Sequence, residues 1–190
     1  MCKMTIEQFF NWADEVEYKA CRMANAFCRR QMIKSFFCGI SRLGDGVVWY
    51  GLMLAMPVLV DVSHPLLGIQ AALTMLVGGA MGLSVYKVLK TKMVRERPFI
   101  GLIGIECAMP PLDEYSFPSG HTLHAVLFST LAIHYCPALA VVLLPFTCLI
   151  AASRVVLGLH YPSDVLVGAF LGWMIARLSL LLSPGLLILG

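Results

Sequence analysis

Three clusters of polar residues carry the groups that could do chemistry in this 190-residue chain. Lys90-Thr-Lys-Met-Val-Arg-Glu-Arg97-Pro98 follows a long apolar stretch, and Pro118-Ser119-Gly120-His121 opens another. Ser153-Arg154-Val-Val-Leu-Gly-Leu-His160-Tyr-Pro-Ser-Asp164 lies between the last two. Lys90 offers a compact point charge, and Arg97 and Arg154 offer planar forks of donors, which suits a phosphate. Ser119, Gly120 and His121 begin an apolar helix after a proline. Their unpaired N–H groups and the positive end of the helix dipole predict an anion site, and Gly120 lets the backbone come close. His160 and Asp164 are one helical turn apart if Pro162 starts the helix. The carboxylate can then hold one imidazole nitrogen and leave the other free to attack. His121 remains as an acid for the leaving group. A cage of cations, one oriented histidine and a second histidine describe phosphoryl transfer without a metal.

Each cluster alone has an ordinary reading. Basic residues beside a span bind anionic headgroups, and Lys87, Lys92 and Arg95 are read in that way only. Ser119-Gly120 could be a plain helix start. The loop acids Glu106, Asp113 and Glu114 read as solvated residues near the mouth of a site, His124 as a helix-packing residue, and Trp49 as an interfacial anchor. The three clusters in this order, with every position filled, resemble the signature of the type 2 phosphatidic acid phosphatase superfamily. The resemblance covers roughly Gly44 to the last span. It implies that His160, aided by Asp164, attacks phosphorus and forms a phosphohistidine. It implies that His121 protonates the leaving oxygen and then activates water. It implies that Lys90, Arg97, Ser119, Gly120 and Arg154 bind the phosphoryl oxygens. No metal and no cofactor are implied. The substrate class is a phosphomonoester or diphosphate of a lipid, such as a phosphatidate, a phosphatidylglycerophosphate or a prenyl diphosphate. The alternatives are a family phosphatase acting on a soluble ester, or a non-catalytic membrane protein that binds or carries phosphate-bearing anions.

The elements that must position these groups are helices. Residues 1–45 mix apolar residues at helical spacing with charges, and predict amphipathic helices on the membrane surface or on the bundle. Residues 46–190 predict the membrane-embedded domain. Apolar segments run from Val47 to Val60, Leu66 to Val85, Ser119 to Tyr135, Ala138 to Ala152 and Val165 to Leu182. The second is rich in Gly78, Gly79, Ala80 and Gly82, which favours close helix contact. A tight turn is expected over residues 61–65. The expectation is an all-α integral membrane bundle of about five spans, six being the other count, with an N-terminal amphipathic segment. Parity then puts the N-terminus, the loop from Lys87 to Pro118 and the stretch from Ser153 to Asp164 on one side. Thirteen of the 14 basic residues share that side, and Arg177 alone falls within a span.

Composition sets the frame. The residues AVILMFWYC make up 59% of the chain, the charged residues 13%, and the mean hydropathy is +0.81. This is too apolar for disorder and, at a net +3, too sparse in charge for nucleic-acid binding. The partners expected are a lipid bilayer and a phospholipid or prenyl-phosphate substrate, in the inner membrane of a bacterium, with the side open. Seven scattered cysteines without metal-ligand spacing are read as free thiols.

Overall fold

The computed structural model describes residues 6–60 and 65–183, with side chains from residue 14. The turn expected at residues 61–65 falls mostly outside this range. Among the described residues the chain is all-helical. The helices are α1 (Ile6–Asn25), α2 (Gln31–Leu43), α3 (Val47–Leu59), α4 (Pro65–Lys92), the single turn α5 (Pro98–Gly101), α6 (Gly120–Tyr135), α7 (Ala140–Val156) and α8 (Pro162–Leu182).

Helices form at all five expected apolar segments, but they differ in reach. Leu66–Lys92, Pro137–Val156 and Pro162–Leu182 are long and apolar enough to cross a membrane by length and composition. With 13 residues, α3 is about 20 Å long; α6, with 16, is about 24 Å. A hydrocarbon core is about 30 Å thick, so these two do not cross it alone. The expected count of about five spans is therefore three full-length helices plus two shorter ones. The burial of α6 explains how a shorter, more polar helix fits in. It packs against α4, α7 and α8, and Leu123, Leu127 and Leu131 are wholly enclosed. Ser129 on it meets protein rather than lipid: its Oγ lies 2.7 Å from Thr147 Oγ1.

Glycines bring these helices together. A Cβ on Gly172 would lie 2.3 Å from the Leu123 carbonyl oxygen, and one on Gly168 would lie 2.6 Å from that of Ser119. The expected close approach of the second segment is also present, since Gly79 and Gly82 face Phe128 and Leu127. α4 runs seven residues past its expected end at Val85, through Lys92. No proline or glycine interrupts it before Pro98, so Tyr86 and Lys90 stand on the last two turns of a helix and not in a loop.

The two N-terminal helices dock on the bundle through α7 and α8. Asn25 fastens them: its side-chain amide donates to the carbonyls of Glu106 and Val156, both at 3.0 Å, and its oxygen accepts from Glu106 N–H at 2.9 Å. Met23, Phe27, Met32 and Phe36 remain exposed. Six cysteines of the described residues, among them Cys21, Cys28 and Cys107, are free thiols.

Candidate active site

The site forms where the ends of α4, α6 and α7 meet the start of α8. Gly158 has φ +75°, a conformation that favours glycine, and it turns the chain out of α7 into Leu159-His160. The carbonyl of Arg154 accepts from the N–H groups of both Leu159 and His160 at 3.1 Å. Arg97 Nη1 donates to the Leu159 carbonyl at 2.8 Å. Two signature residues thus fix the backbone that presents His160, Arg154 through its carbonyl and Arg97 through its guanidinium. α8 then starts at Pro162, and Asp164 in its first turn accepts from Tyr161 N–H at 2.9 Å.

These elements enclose a cavity of about 430 Å³, with Arg97, Gly120, His121, Arg154 and His160 on its wall. Lys90 stands behind them, almost fully buried. Trp49, Met53, Met75, Leu76, Leu83 and Phe128 form its apolar extension between α3, α4 and α6. Two buried polar atoms among the described residues, Arg154 Nε and His160 Nδ1, lack a hydrogen-bond partner, and a third, Lys90 Nζ, has the Asp113 carboxylate alone. All three belong to this one site.

Five expectations are corrected by the geometry. The Ser119 N–H is not free for an anion, because it donates to the Asp164 carbonyl at 3.1 Å. Its hydroxyl pairs with Thr122 Oγ1 at 2.9 Å, so Ser119 ties α6 to α8 from behind the cavity wall. His160 Nδ1 lies 3.7 Å from Asp164 Oδ2, an ion-pair distance longer than a hydrogen bond. Arg95 does more than face headgroups. It bridges Asp164 Oδ1 at 2.7 Å and Glu17 Oε2 at 2.6 Å, and it stacks on the Tyr161 ring at 4.0 Å. Asp113 is no solvated loop acid. Its Oδ1 lies 2.9 Å from Lys90 Nζ and 2.7 Å from Arg97 Nη2, and Tyr86 donates to its other oxygen. A carboxylate thus holds two of the cations that the signature assigns to phosphate. Trp49, read as an interfacial anchor, is instead buried; it stacks on Phe128 at 5.6 Å between centroids and donates to the Gly44 carbonyl. His124 packs as expected, against Phe128 and the Gly120 carbonyl.

A residue without any sequence signal also enters. Asp45, in the Gly44-Asp45-Gly46 break between α2 and α3, places Oδ1 on His121 Nε2. Ser41 on α2 accepts from Arg154 Nη1. Only a fold can bring these residues to the three clusters, because nothing in their local spacing points there.

The electrostatics follow from burial. Desolvation, with the charges of Arg154 and Arg97, pushes the His160 imidazole down to about 3 against the pull of Asp164. A neutral imidazole carries the free electron pair that attack on phosphorus requires. Burial alone would raise the Asp113 carboxyl. Hydrogen bonds from Tyr86 and Lys90 and the charges of Lys90 and Arg97 hold it below the ordinary carboxylate range.

The fold and site define a class, an all-helical membrane protein with a cation-lined cavity at one end of its bundle. The family follows from comparison: the PAP2 superfamily profile matches residues 69–186, and the chain belongs to that superfamily. A phosphatidylglycerophosphatase B of Haemophilus influenzae is 39% identical over 71 residues, which cover 32% of this chain and 30% of that protein. This chain therefore matches under a third of that relative's length. A transmembrane PAP2 type phosphatidylglycerolphosphate phosphatase from Bacillus subtilis shares the fold, with a TM-score of 0.72 at 22% identity over 90% of this chain and 86% of that one. LpxE of Aquifex aeolicus superposes with a TM-score of 0.67 at 27% identity, over 85% of this chain and 93% of that one.

Proposed function

We propose that this protein is a membrane phosphatase that removes a phosphoryl group from a lipid through a phosphohistidine on His160. The single observation that carries the reading is the buried cluster of Lys90, Arg154 and His160, in which, among the described residues, Arg154 Nε and His160 Nδ1 have no hydrogen-bond partner and Lys90 Nζ has only the Asp113 carboxylate. Buried polar groups are ordinarily paired, so donor capacity left over at one buried site suits a ligand there. Lys90 and Arg154 are cationic donors, and the oxygens of a phosphoryl group are acceptors that suit them.

In the first step the free nitrogen of His160 attacks phosphorus. Lys90, Arg97, Arg154 and the Gly120 N–H take the charge on the phosphoryl oxygens. The bond from phosphorus to the leaving oxygen breaks, and His121 gives that oxygen a proton. In the second step water attacks the phosphohistidine. His121 takes a proton from the water, and the P–N electron pair returns to the imidazole. The apolar extension beyond Trp49 and Phe128 suits a hydrocarbon tail, which favours a lipid over a soluble ester. Phosphatidate, phosphatidylglycerophosphate and prenyl phosphates all fit that description. The exposed apolar side chains of α1 and α2, with Arg29, Arg30 and Lys34 beside them, suit an in-plane seat on the bilayer for residues 1–45. The bacterial relatives suit an inner-membrane location.

The test is phosphate release by the purified protein in detergent across a panel of those lipids. His160→Ala should reduce release by about 10³-fold or more. Equal rates for the native protein and His160→Ala would contradict a catalytic role and leave a binding or carrier protein.

A further inference from the structure

We propose that Asp45 makes this site selective for phosphomonoesters with an alcohol leaving group over diphosphates, by acting on His121. The inference rests on the phosphatase reading above and names the substrate class within it. Asp45 lies 76 residues before His121, and the break at Gly44-Asp45-Gly46 delivers it. Gly46, at φ +127°, lets α3 leave that turn directly. Asp45 lies on the cavity wall, and among the described residues His121 is its only ion partner. The carboxylate holds Nε2, and Nδ1 carries no hydrogen bond among the described residues, which leaves it for the leaving oxygen. Asp45 is a positioning residue in this arrangement, because it acts through the imidazole.

Two consequences point the same way. Loss of an alcohol from phosphorus requires a proton on the departing oxygen, since an alkoxide is strongly basic. Burial and the charge of Arg154 disfavour the protonated imidazole, and the Asp45 carboxylate opposes them, so it is the group that keeps His121 able to supply that proton. When the bond to the terminal phosphate of a diphosphate breaks, the departing group is instead a phosphate ester, whose oxygen ionises near pH 6 and leaves without help. The dyad therefore accelerates alcohol departure and adds little to phosphate departure. The second consequence is charge. A diphosphate would put its second phosphate on the His121 side, against the Asp45 carboxylate. The cations on the cavity wall are Arg97 and Arg154, which the first phosphoryl group engages, and Asp113 already draws on Arg97. Among the described residues no further lysine or arginine lines the wall for a second phosphate.

The experiment compares farnesyl monophosphate with farnesyl diphosphate, which share one tail, using the full-length protein in detergent micelles. The native protein should favour the monophosphate by about 10-fold or more in kcat/KM. In Asp45→Asn the ratio of monophosphate to diphosphate kcat/KM should fall by about 30-fold or more, in line with the loss of an effective general acid. For aryl monophosphates with acidic leaving groups, the Asp45→Asn defect in the first turnover should shrink as the leaving group becomes more acidic. Should Asp45→Asn not fold, Asp45→Glu keeps the charge at a different reach, and the same ratio should fall by a smaller factor. A native preference for the diphosphate would overturn the proposal, and so would equal losses on the two substrates, the mark of a merely structural residue. Retention of native rates by His160→Ala would instead overturn the phosphatase reading, so the two failures are distinct.

Discussion

Asp164 is fully buried, and its two oxygens are taken by Arg95 and by the Tyr161 N–H. Arg95 is in turn held by Glu17, whose other oxygen accepts from Ser163 N–H at 2.8 Å. A residue of the first helix therefore orients the carboxylate beside the nucleophile. Glu17→Gln should lower kcat by about 10-fold with KM changed less than twofold, because it loosens orientation and touches no substrate. A KM rise with kcat intact would place Glu17 in binding instead. Asp113 gives a pH-dependent prediction. Its folded value is depressed, so its contribution to stability is present above the unfolded carboxylate value near 4 and is lost as pH falls through the folded value. Thermal melts in detergent should show the native protein losing stability below about pH 4 more steeply than Asp113→Asn. Equal slopes would contradict this. The signature residues were legible because their types and spacing match phosphate chemistry. Asp113, Arg95, Asp45 and Glu17 were not, since a lone charge in a polar stretch looks the same whether solvent or a buried partner neutralises it.

Helix contacts set the distances in the site. Gly168 and Gly172 on α8 press against the α6 backbone, and Ser119 joins the same two helices through its N–H. Gly172→Ala should destabilise the protein by about 1–3 kcal/mol, since backbone cannot yield to a Cβ as a flexible side chain can. Gly168→Ala should also lower activity, because the atom it meets belongs to Ser119, directly before Gly120 and His121. A methyl group added to Gly39 on α2 would meet nothing within 4 Å, so Gly39→Ala should be neutral or stabilising by up to about 1 kcal/mol. Melting of the three variants in detergent checks these signs. At this scale the sequence was informative about helix type and place, because apolar runs between glycine and proline breaks are a strong signal. It was poor on reach. Hydropathy ended α4 at Val85, whereas the backbone continues through a polar, helix-favouring stretch. It also counted α6 among the spans, although that helix is short and its neighbours cover most of it.

The whole molecule gathers its scarce charge at one end of an apolar bundle. The α2–α3 turn, the end of α4, the loop holding Asp113, the start of α6 and the α7–α8 connection all converge on the cavity. Cys107 is exposed in the loop between the first two signature clusters. In sealed vesicles a membrane-impermeant maleimide should reach Cys107 from the same side as an N-terminal tag. Labelling from opposite sides would break the parity that unites the clusters. The account as a whole turns on His160 as the nucleophile. It is tested most directly by mixing the protein with a lipid phosphomonoester labelled on phosphorus, quenching within a turnover and locating the label. The prediction is an acid-labile, base-stable phosphoryl group on His160 that is absent from His160→Ala. Label on another residue, or none during rapid turnover, would contradict it.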